Sequence, residues 1–485
     1  MDPKEAAPRM QTGRNNDRTA LTAGLWYVLS SVLIRLTSFL TTPLFTRLLT
    51  TAQYGAAGTF QSCCSLLLPV FSLNLMNSIG RAKLDYPEKL DEYIGSVRTL
   101  SLLVSLGLSL AGAVFLRPLS SLLSLRPEET VLLLVYLCFA PAVTFAQAGL
   151  RYRYRTRENI LMQWYLALAP ALLSLLLILF AGWDRGFSRM VGLTVPTFVL
   201  SLLIFLTARP GKQAAFDRAY WRYGLELSVP MMLHALSLNI LAQSDKLVIA
   251  RFSGQTEVAY FHLVRNYALL LYLLLETVNQ AWLPWFHDSL QEGRREEIRR
   301  YVRLLAAGTC VLGLCLTAAG PEAVLLLGGS AYEAAAPAVP ATALGIICQC
   351  LYAHYINLEL HMKKTGYASF GTMAAAALNL ALNFLFVPKY GFAAAAATTF
   401  LSYLMLLLLH FLIVRKKLGV RLYDDRFLLL SAAVSAGFGG LLYLAYPYLP
   451  IRLAAAAALI ALFVTVFRKD LSAAVRLLRP GAENR

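Results

Sequence analysis

Charge is scarce in this chain: Asp, Glu, Lys and Arg make up 15% of 485 residues, while 58% are apolar. A soluble domain of that size needs more charge to keep its surface wet, so lipid is the expected solvent. No G-x-x-x-x-G-K-[ST] phosphate loop occurs, which excludes an ATP drive through a domain of this chain. H-E-x-x-H is absent too, and the six histidines and seven cysteines show no metal-ligand spacing, so neither metal nor cofactor is expected. Cys63, Cys64, Cys138, Cys310, Cys315, Cys348 and Cys350 all fall in apolar stretches, where a thiol serves as a small packing group.

What is present is a succession of apolar windows, each of about 20 residues, the length that spans the hydrocarbon layer. They run from Leu21 almost to Phe467 with short polar breaks. The reading is an all-α polytopic membrane protein of about fourteen transmembrane helices. Residues 1–20 form a polar tail, and the window after it reads as a first helix rather than a removed signal. When Lys and Arg are allotted to alternate sides, 33 of the 44 fall on the side of the two termini, 9 on the other, and only Arg35 and Arg265 within spans. The positive-inside rule then puts both termini in the cytoplasm. Topology thus accounts for the net charge of +17 without nucleic acid, and loops such as Arg151-Tyr152-Arg153-Tyr154-Arg155 also suit anionic lipid headgroups.

A repeat divides the chain. Arg47-LLTTAQYGAAGTFQS echoes Arg251-FSGQTEVAYFHLVRN at an offset of 204, and Gly186-Phe187 echoes Gly391-Phe392 at 205. Six helices per unit give two lobes of like orientation facing each other across a cavity. The expected organisation is a lobe of helices 1–6 (21–208), a cytoplasmic linker (209–224), a lobe of helices 7–12 (225–414), helices 13 and 14 (427–467) outside the repeat, and a cytoplasmic tail (468–485).

The second lobe carries motifs of a known family. Ser244-DKLVIARFSGQTEVAYFHLVRNYALLLYLLLETVNQAWLPWF resembles the helix 7–8 signature of bacterial polysaccharide transporters. These are the O-antigen and capsule-repeat flippases of the multidrug/oligosaccharidyl-lipid/polysaccharide exporter superfamily. Leu378-NLALNFLFVPKYGFAAAAATT resembles the same family's helix 11–12 run of Leu-Asn-x-x-Leu-Asn, Val-Pro-x-Tyr-Gly and small residues, and Gly24 to Gln61 resembles its first hairpin more loosely. The chain departs from that pattern at Ala259, where the family usually has Gly, and at Ala393-Ala394, where Gly-Ala is commoner. The resemblance implies a secondary transporter, not an enzyme. It would flip an undecaprenyl-pyrophosphate-linked oligosaccharide between leaflets of the bacterial cytoplasmic membrane by alternating access, as a single chain.

Polar residues at membrane depth are the candidate site, since a charge there calls for a partner or a wet cavity. On helix 8, His262, Arg265, Tyr272, Glu276 and Asn279 fall within an arc of roughly 100°, a stripe unsuited to lipid. Arg265 and Glu276 are about 16 Å apart along the axis, too far to pair. Arg35 reads either as a latch to a carboxylate of the other lobe or as a phosphate grip, for which the guanidinium is suited. With the resemblance, Arg35 and Arg265 become candidates to offset the charge of a pyrophosphate, with His262, Tyr272 and Asn279 beside it. Glu276 is a candidate H+ or Na+ site, a counter-charge for Arg35 or a packing group. Asp245 and Lys246 either neutralise each other or reach the interface, with Asp245 a second candidate for coupling or counter-charge. Asn379 and Asn383 read as interhelical hydrogen-bonding groups.

Three alternatives stay open: a flippase for the peptidoglycan lipid precursor or a spore-wall counterpart, a drug/cation antiporter, and a membrane polymerase. The last needs a sizeable outer loop, and the longest outer connection is about 13 residues, short for loops that carry chemistry.

Overall fold

A computed structural model describes residue 37 and residues 39–207 and 216–477. Arg35 therefore lies outside the described residues, as does most of the expected first helix. The described part is helical throughout, without strands. Its elements are α1 (39–48), α2 (Thr51–Phe71), α3 (Ile79–Asp85), α4 (Leu90–Val114), α5 (Leu116–Leu123), α6 (Pro127–Tyr152), α7 (Thr156–Phe180) and α8 (Arg185–Thr207). They continue as α9 (Arg218–Phe252), α10 (Gln255–Gln291), α11 (Arg295–Ala318), α12 (Gly320–Gly328), α13 (Val339–His361), α14 (Thr365–Leu412), α15 (Asp425–Leu444) and α16 (Leu449–Leu477).

Among the described residues ten helices are long and apolar enough to cross a membrane, or up to twelve if each of two bent pairs is one span. One pair breaks between α2 and the turn before α3, where Leu73 and Asn74 have positive φ; the other breaks within α9. α14 counts once in that tally, yet its 48 residues would extend about 72 Å as a straight helix, far beyond a bilayer. Gly391, at φ 64° and ψ −151°, interrupts it. This is the glycine of the Val-Pro-x-Tyr-Gly motif, and only glycine takes such a backbone without strain.

Successive helices alternate in direction, so the turns fall at two ends of the bundle. The Thr50 end gathers the α1–α2, α7–α8 and α9–α10 turns, α5, α12 and Gly391. Gln53 Nε2 donates to Asp184 there (2.8 Å), Arg251 to Ser121 O (3.3 Å) and Gln255 to Ser124 O (2.8 Å). The Tyr154 end gathers the basic segments, where Arg153 pairs with Asp91, Arg300 with Asp470 and Arg415 with Asp425, and Lys83 sits over the Tyr154 ring.

The repeat has a structural counterpart at the Thr50 end. Gln53 on α2 reaches Asp184, which caps α8 by accepting from Phe187 N (2.8 Å). Glu257, the residue 204 positions after Gln53, accepts directly from Phe392 N (2.8 Å) at the restart of α14. The two corners are built alike, one through a bridging aspartate and one without it.

The halves are joined mainly at this end. One buried cluster draws Phe45, Tyr54 and Ile178 from the first half and Ile249, Val264, Tyr332 and Ala395 from the second. Thr46 Oγ1 donates to Leu327 O (2.5 Å), Thr59 Oγ1 to Gln255 (2.7 Å) and Ser62 Oγ to Gln243 (3.1 Å). α2 and α10 cross closely enough that a Cβ on Gly55 would lie 1.7 Å from Gln255 O and 3.1 Å from Ala259 N. Ala259, where the family usually has Gly, is thus the small residue facing Gly55 in this crossing, and it is fully buried. At the Tyr154 end, α9 bridges the halves. Its first turns dock on the first half, Trp221 Nε1 donating to Ser96 O (3.0 Å) and Tyr223 to Asp85 (2.6 Å). Its later turns pack on α14 through Asp245.

α16 leaves most of its surface to lipid, with only 6% of its apolar window buried. Arg452, itself 2% exposed, pins it to α12 through two bonds to the Glu322 carboxylate (2.7 and 2.6 Å) and to the end of α11 through one to Ala318 O (2.5 Å).

Candidate functional site: a cavity beside the seam

A cavity of 460 Å³ lies within the first half among α1, α2, α6, α7 and α8. Among the described residues its polar lining is neutral, including Thr41, Gln61, Tyr136, Thr144 and Gln147, except for one cation, Arg189. Leu68, Val143, Leu166 and Pro170 supply apolar wall. Ligand sites of about 300–1,000 Å³ with a few placed polar groups are of this kind.

Arg189 reaches the cavity because Asp184 caps α8 and starts it at Arg185, so residue 189 is already a turn inside the helix. Gly192, one turn on, lets α8 press against α7: a Cβ there would lie 2.5 Å from Ser174 Cα. That approach brings Arg189 Nη1 to Ser174 Oγ (2.8 Å) and Pro170 O (3.4 Å). The guanidinium lies over the Phe45 ring, 3.8 Å from its centroid. A guanidinium has five N–H donors, and these contacts use only Nη1.

A smaller pocket continues from this cavity to the seam between halves. It shares Thr41, Gln61 and Arg189 and adds Tyr54, His262 and Asn266. His262 is buried, tilted against Tyr54 at 5.3 Å, with Gly58 beneath its ring and Nδ1 without a partner. Asn266 Nδ2 lies 3.3 Å from Tyr54 Oη and 3.5 Å from His262 Nε2.

The helix 8 stripe does not gather at one site. From His262 to Asn279 it covers about 25 Å of axis, so its ends meet different neighbours. His262 faces the seam, whereas Tyr272, Glu276 and Asn279 line a separate 50 Å³ pocket among α10, α11 and α13, with Gln349, Cys350 and His354. That space suits a few waters rather than a sugar. Asn279 accepts from Asn357 (2.9 Å), and Glu276 accepts from Gln280 on its own helix (3.0 Å).

Asp245 and Lys246 are both buried and within electrostatic reach of each other, but no direct ion pair joins them: neighbours on a helix point about 100° apart. The Asp245 carboxylate accepts from Asn383 Nδ2 (2.6 Å) and Thr399 Oγ1 (2.7 Å), one on each half of α14, within electrostatic reach of Arg265. Asn379 Nδ2 donates to Thr399 (3.3 Å), and Asn383 to Asn379 (3.1 Å). The i,i+4 spacing of the Leu-Asn-x-x-Leu-Asn motif places both amides on the face that holds this carboxylate.

Comparison with known proteins agrees with this architecture. Residues 21–290 match the family described as "Polysaccharide biosynthesis protein". The chain belongs to that family. A curated relative, "Lsg locus putative protein 1" of Haemophilus influenzae, is 21% identical over 278 residues, 55% of this chain; the match spans just under two thirds of that protein, 65%. Among solved structures, "Lipid II flippase MurJ, inward closed conformation" is similar at a TM-score of 0.72 and 15% identity, covering 92% of this chain and 99% of that one. An "Inward-facing conformation of a multidrug resistance MATE family transporter of the MOP superfamily" is similar at a TM-score of 0.57 and 15% identity, covering 80% and 98%. The family member therefore has the fold of the multidrug/oligosaccharidyl-lipid/polysaccharide superfamily, as the motifs of α9, α10 and α14 imply.

Arg189 is the residue that sequence reasoning missed. The charge tally counts it with the outer helix ends, whereas the Asp184 cap moves the helix start outward and leaves it inside. An Asp three residues before a backbone N–H it can cap was the available signal.

Proposed function

We propose that this member of the polysaccharide biosynthesis family is a flippase-type transporter. It moves a polyprenyl-pyrophosphate-linked oligosaccharide from the inner to the outer leaflet by alternating access between its halves. The observation that carries the reading is an amide- and hydroxyl-lined cavity that holds the Arg189 guanidinium and opens toward the seam where the two halves meet. Sugar hydroxyls suit the Gln and Thr groups, while pyrophosphate suits guanidinium groups with free donors. Arg35 and Arg265 join Arg189 in this role, and the lipid tail stays in the bilayer. With the Tyr154 end toward the cytoplasm, the basic segments face the inner leaflet and both termini are cytoplasmic, as fourteen spans require. The closed Thr50 end is then the outer gate, and the halves part there to release the sugar.

Asp245 is the proposed coupling group: a buried carboxylate with amide and hydroxyl neighbours suits a proton or Na⁺, and its neighbours lie on both halves of α14. The pocket holding Glu276 suits water and remains a second candidate.

Neutralising Arg189 tests the reading. Arg189→Gln is expected to abolish surface polysaccharide and accumulate the lipid-linked oligosaccharide at unchanged protein abundance. Normal export by the variant rejects the cavity as the substrate path.

A further inference from the structure

The seam pocket lies where equivalent parts of the repeat touch. Gly58 on α2 and His262 on α10 stand 204 positions apart, the offset of the repeat, and a Cβ on Gly58 would lie 3.2 Å from His262 Cγ. Each is about 10 Å of helix rise inside the Thr50 end. The pocket beside them holds 40 Å³, close to the share of one water in the liquid, about 30 Å³. Its walls come from both halves: Tyr54, Gln61 and Arg189 from the first, His262 and Asn266 from the second. Asn266 Nδ2, a donor, lies 3.5 Å from His262 Nε2, which makes Nε2 the acceptor and leaves the proton of the neutral ring on Nδ1. That Nδ1 is buried without a partner.

Positive charge collects around this pocket. Arg189 on α8, Lys246 on α9 and Arg265 on α10 all lie within electrostatic reach of the His262 ring. Among the described residues the carboxylate that answers them is Asp245, which acts on Lys246 and Arg265 and is itself held by Asn383 and Thr399. The other acids of the surrounding helices are engaged or distant. Residues 21–71, 185–207 and 365–412 contain no Asp or Glu, so α1, the window before it, α2, α8 and α14 offer none. At the Thr50 end Glu129 and Asp184 are held by Arg126, and Glu257 by Phe392 N. Glu158 of α7 pairs with Arg155, and Glu226 of α9 with Arg222. Glu276 is about 21 Å of rise along α10 from His262. Three cations against one carboxylate leave two positive charges in excess at a depth where each calls for a partner or water.

We propose that the seam pocket binds a single chloride ion, held between Arg189 of the first half and His262 of the second. The class of ligand follows from the walls. They offer a cation and N–H donors but no carboxylate among the described residues, in a space that fits one small ion and neither a sugar nor a pyrophosphate. Arg189 spends only Nη1 on Pro170 O and Ser174 Oγ, so Nε and Nη2 remain to donate. The bound ion offsets one of the two surplus charges.

Radioactive chloride binding to the purified full chain in detergent, in a sodium gluconate background and with no glycan added, tests this. Saturable binding of one chloride per chain is expected. The chain is also expected to unfold at a higher temperature in sodium chloride than in sodium gluconate of equal ionic strength. Above the dissociation constant, the unfolding equilibrium should shift about tenfold for each tenfold rise in chloride. Arg189→Gln removes the charge and keeps a polar side chain, and is expected to lose the saturable binding. Arg300→Gln, at the Tyr154 end, lowers the net charge equally and is expected to keep it. The absence of saturable binding to the wild-type chain, or binding by Arg189→Gln equal to wild type, overturns the proposal. Where that variant does not accumulate, anomalous scattering from crystals of the unaltered chain grown in bromide decides. A peak among Tyr54, Arg189 and His262 is expected, and its absence there overturns the site. No glycan enters these measurements, so their failure leaves the export reading standing, and normal export by Arg189→Gln leaves the chloride site standing.

Discussion

Replacing Gly55 by alanine separates the stability of a helix from the closure of a gate. The Cβ would sit 1.7 Å from Gln255 O, against an ordinary contact of 3.4 Å or more, so the α2–α10 crossing has to open by more than an ångström. Overpacking of this kind costs about 1–3 kcal/mol. Charged to the closed state alone, that shifts the equilibrium toward the open Thr50 end by about 5- to 150-fold. Within α2 itself the change is favourable, since alanine exceeds glycine in helix propensity by about 1 kcal/mol. Thermal stability is therefore expected to hold while closure fails. Spin labels on Ala52 and Phe252, both exposed at this end and on opposite halves, report the separation. The variant is expected to gain a longer-distance population. The same substitution at Gly107, with nothing within 4 Å of its would-be Cβ, is expected to leave the distances unchanged. A Gly55→Ala distribution identical to wild type refutes the crossing as a gate.

Other outcomes follow from the same contacts. Arg189→Lys keeps the charge but loses the planar fork over Phe45, and is expected to retain part of the export that Arg189→Gln loses, measured as surface polysaccharide. Asp245→Asn is expected to leave the fold intact and remove the dependence of transport on an ion gradient, measured in proteoliposomes with and without that gradient. Arg452→Leu is expected to lower the unfolding midpoint by releasing α16 from Glu322 and Ala318 O. Glu322 lies outside the spans, and the hydrogen bond from Arg452 holds its carboxyl below the ordinary range against the opposing effect of burial. The pin therefore contributes fully above the unfolded carboxylate value of about 4.3 and is lost as pH falls through the lower folded value, measured as the pH dependence of that midpoint.

Much of the fold was legible because bilayer physics writes it in plain terms: length, apolarity and the side on which Lys and Arg collect. The corner glycine and the paired asparagines of α14 were legible as motifs, and the structure gives their causes, the φ of Gly391 and the Asp245 carboxylate. The site was less legible. A helical wheel aligns His262 with Asn279, but it does not say which neighbour each turn meets, and the two fall in different pockets. Nor does adjacency reveal direction: Asp245 turns toward α14 and not toward Lys246. Arg189 escaped because a charge near a helix end reads as interfacial until the cap is located. Tertiary contacts decided each of these cases.

The central claim is that this chain carries a lipid-linked glycan across the bilayer. Deleting its gene and extracting polyprenyl-pyrophosphate lipids tests it most directly. The account predicts that a completed, unpolymerised oligosaccharide accumulates on its lipid carrier in the inner leaflet and disappears on re-expression of the wild-type chain but not of Arg189→Gln. Lipid-linked oligosaccharide that still reaches the outer leaflet at the wild-type rate in the deletion strain would contradict it.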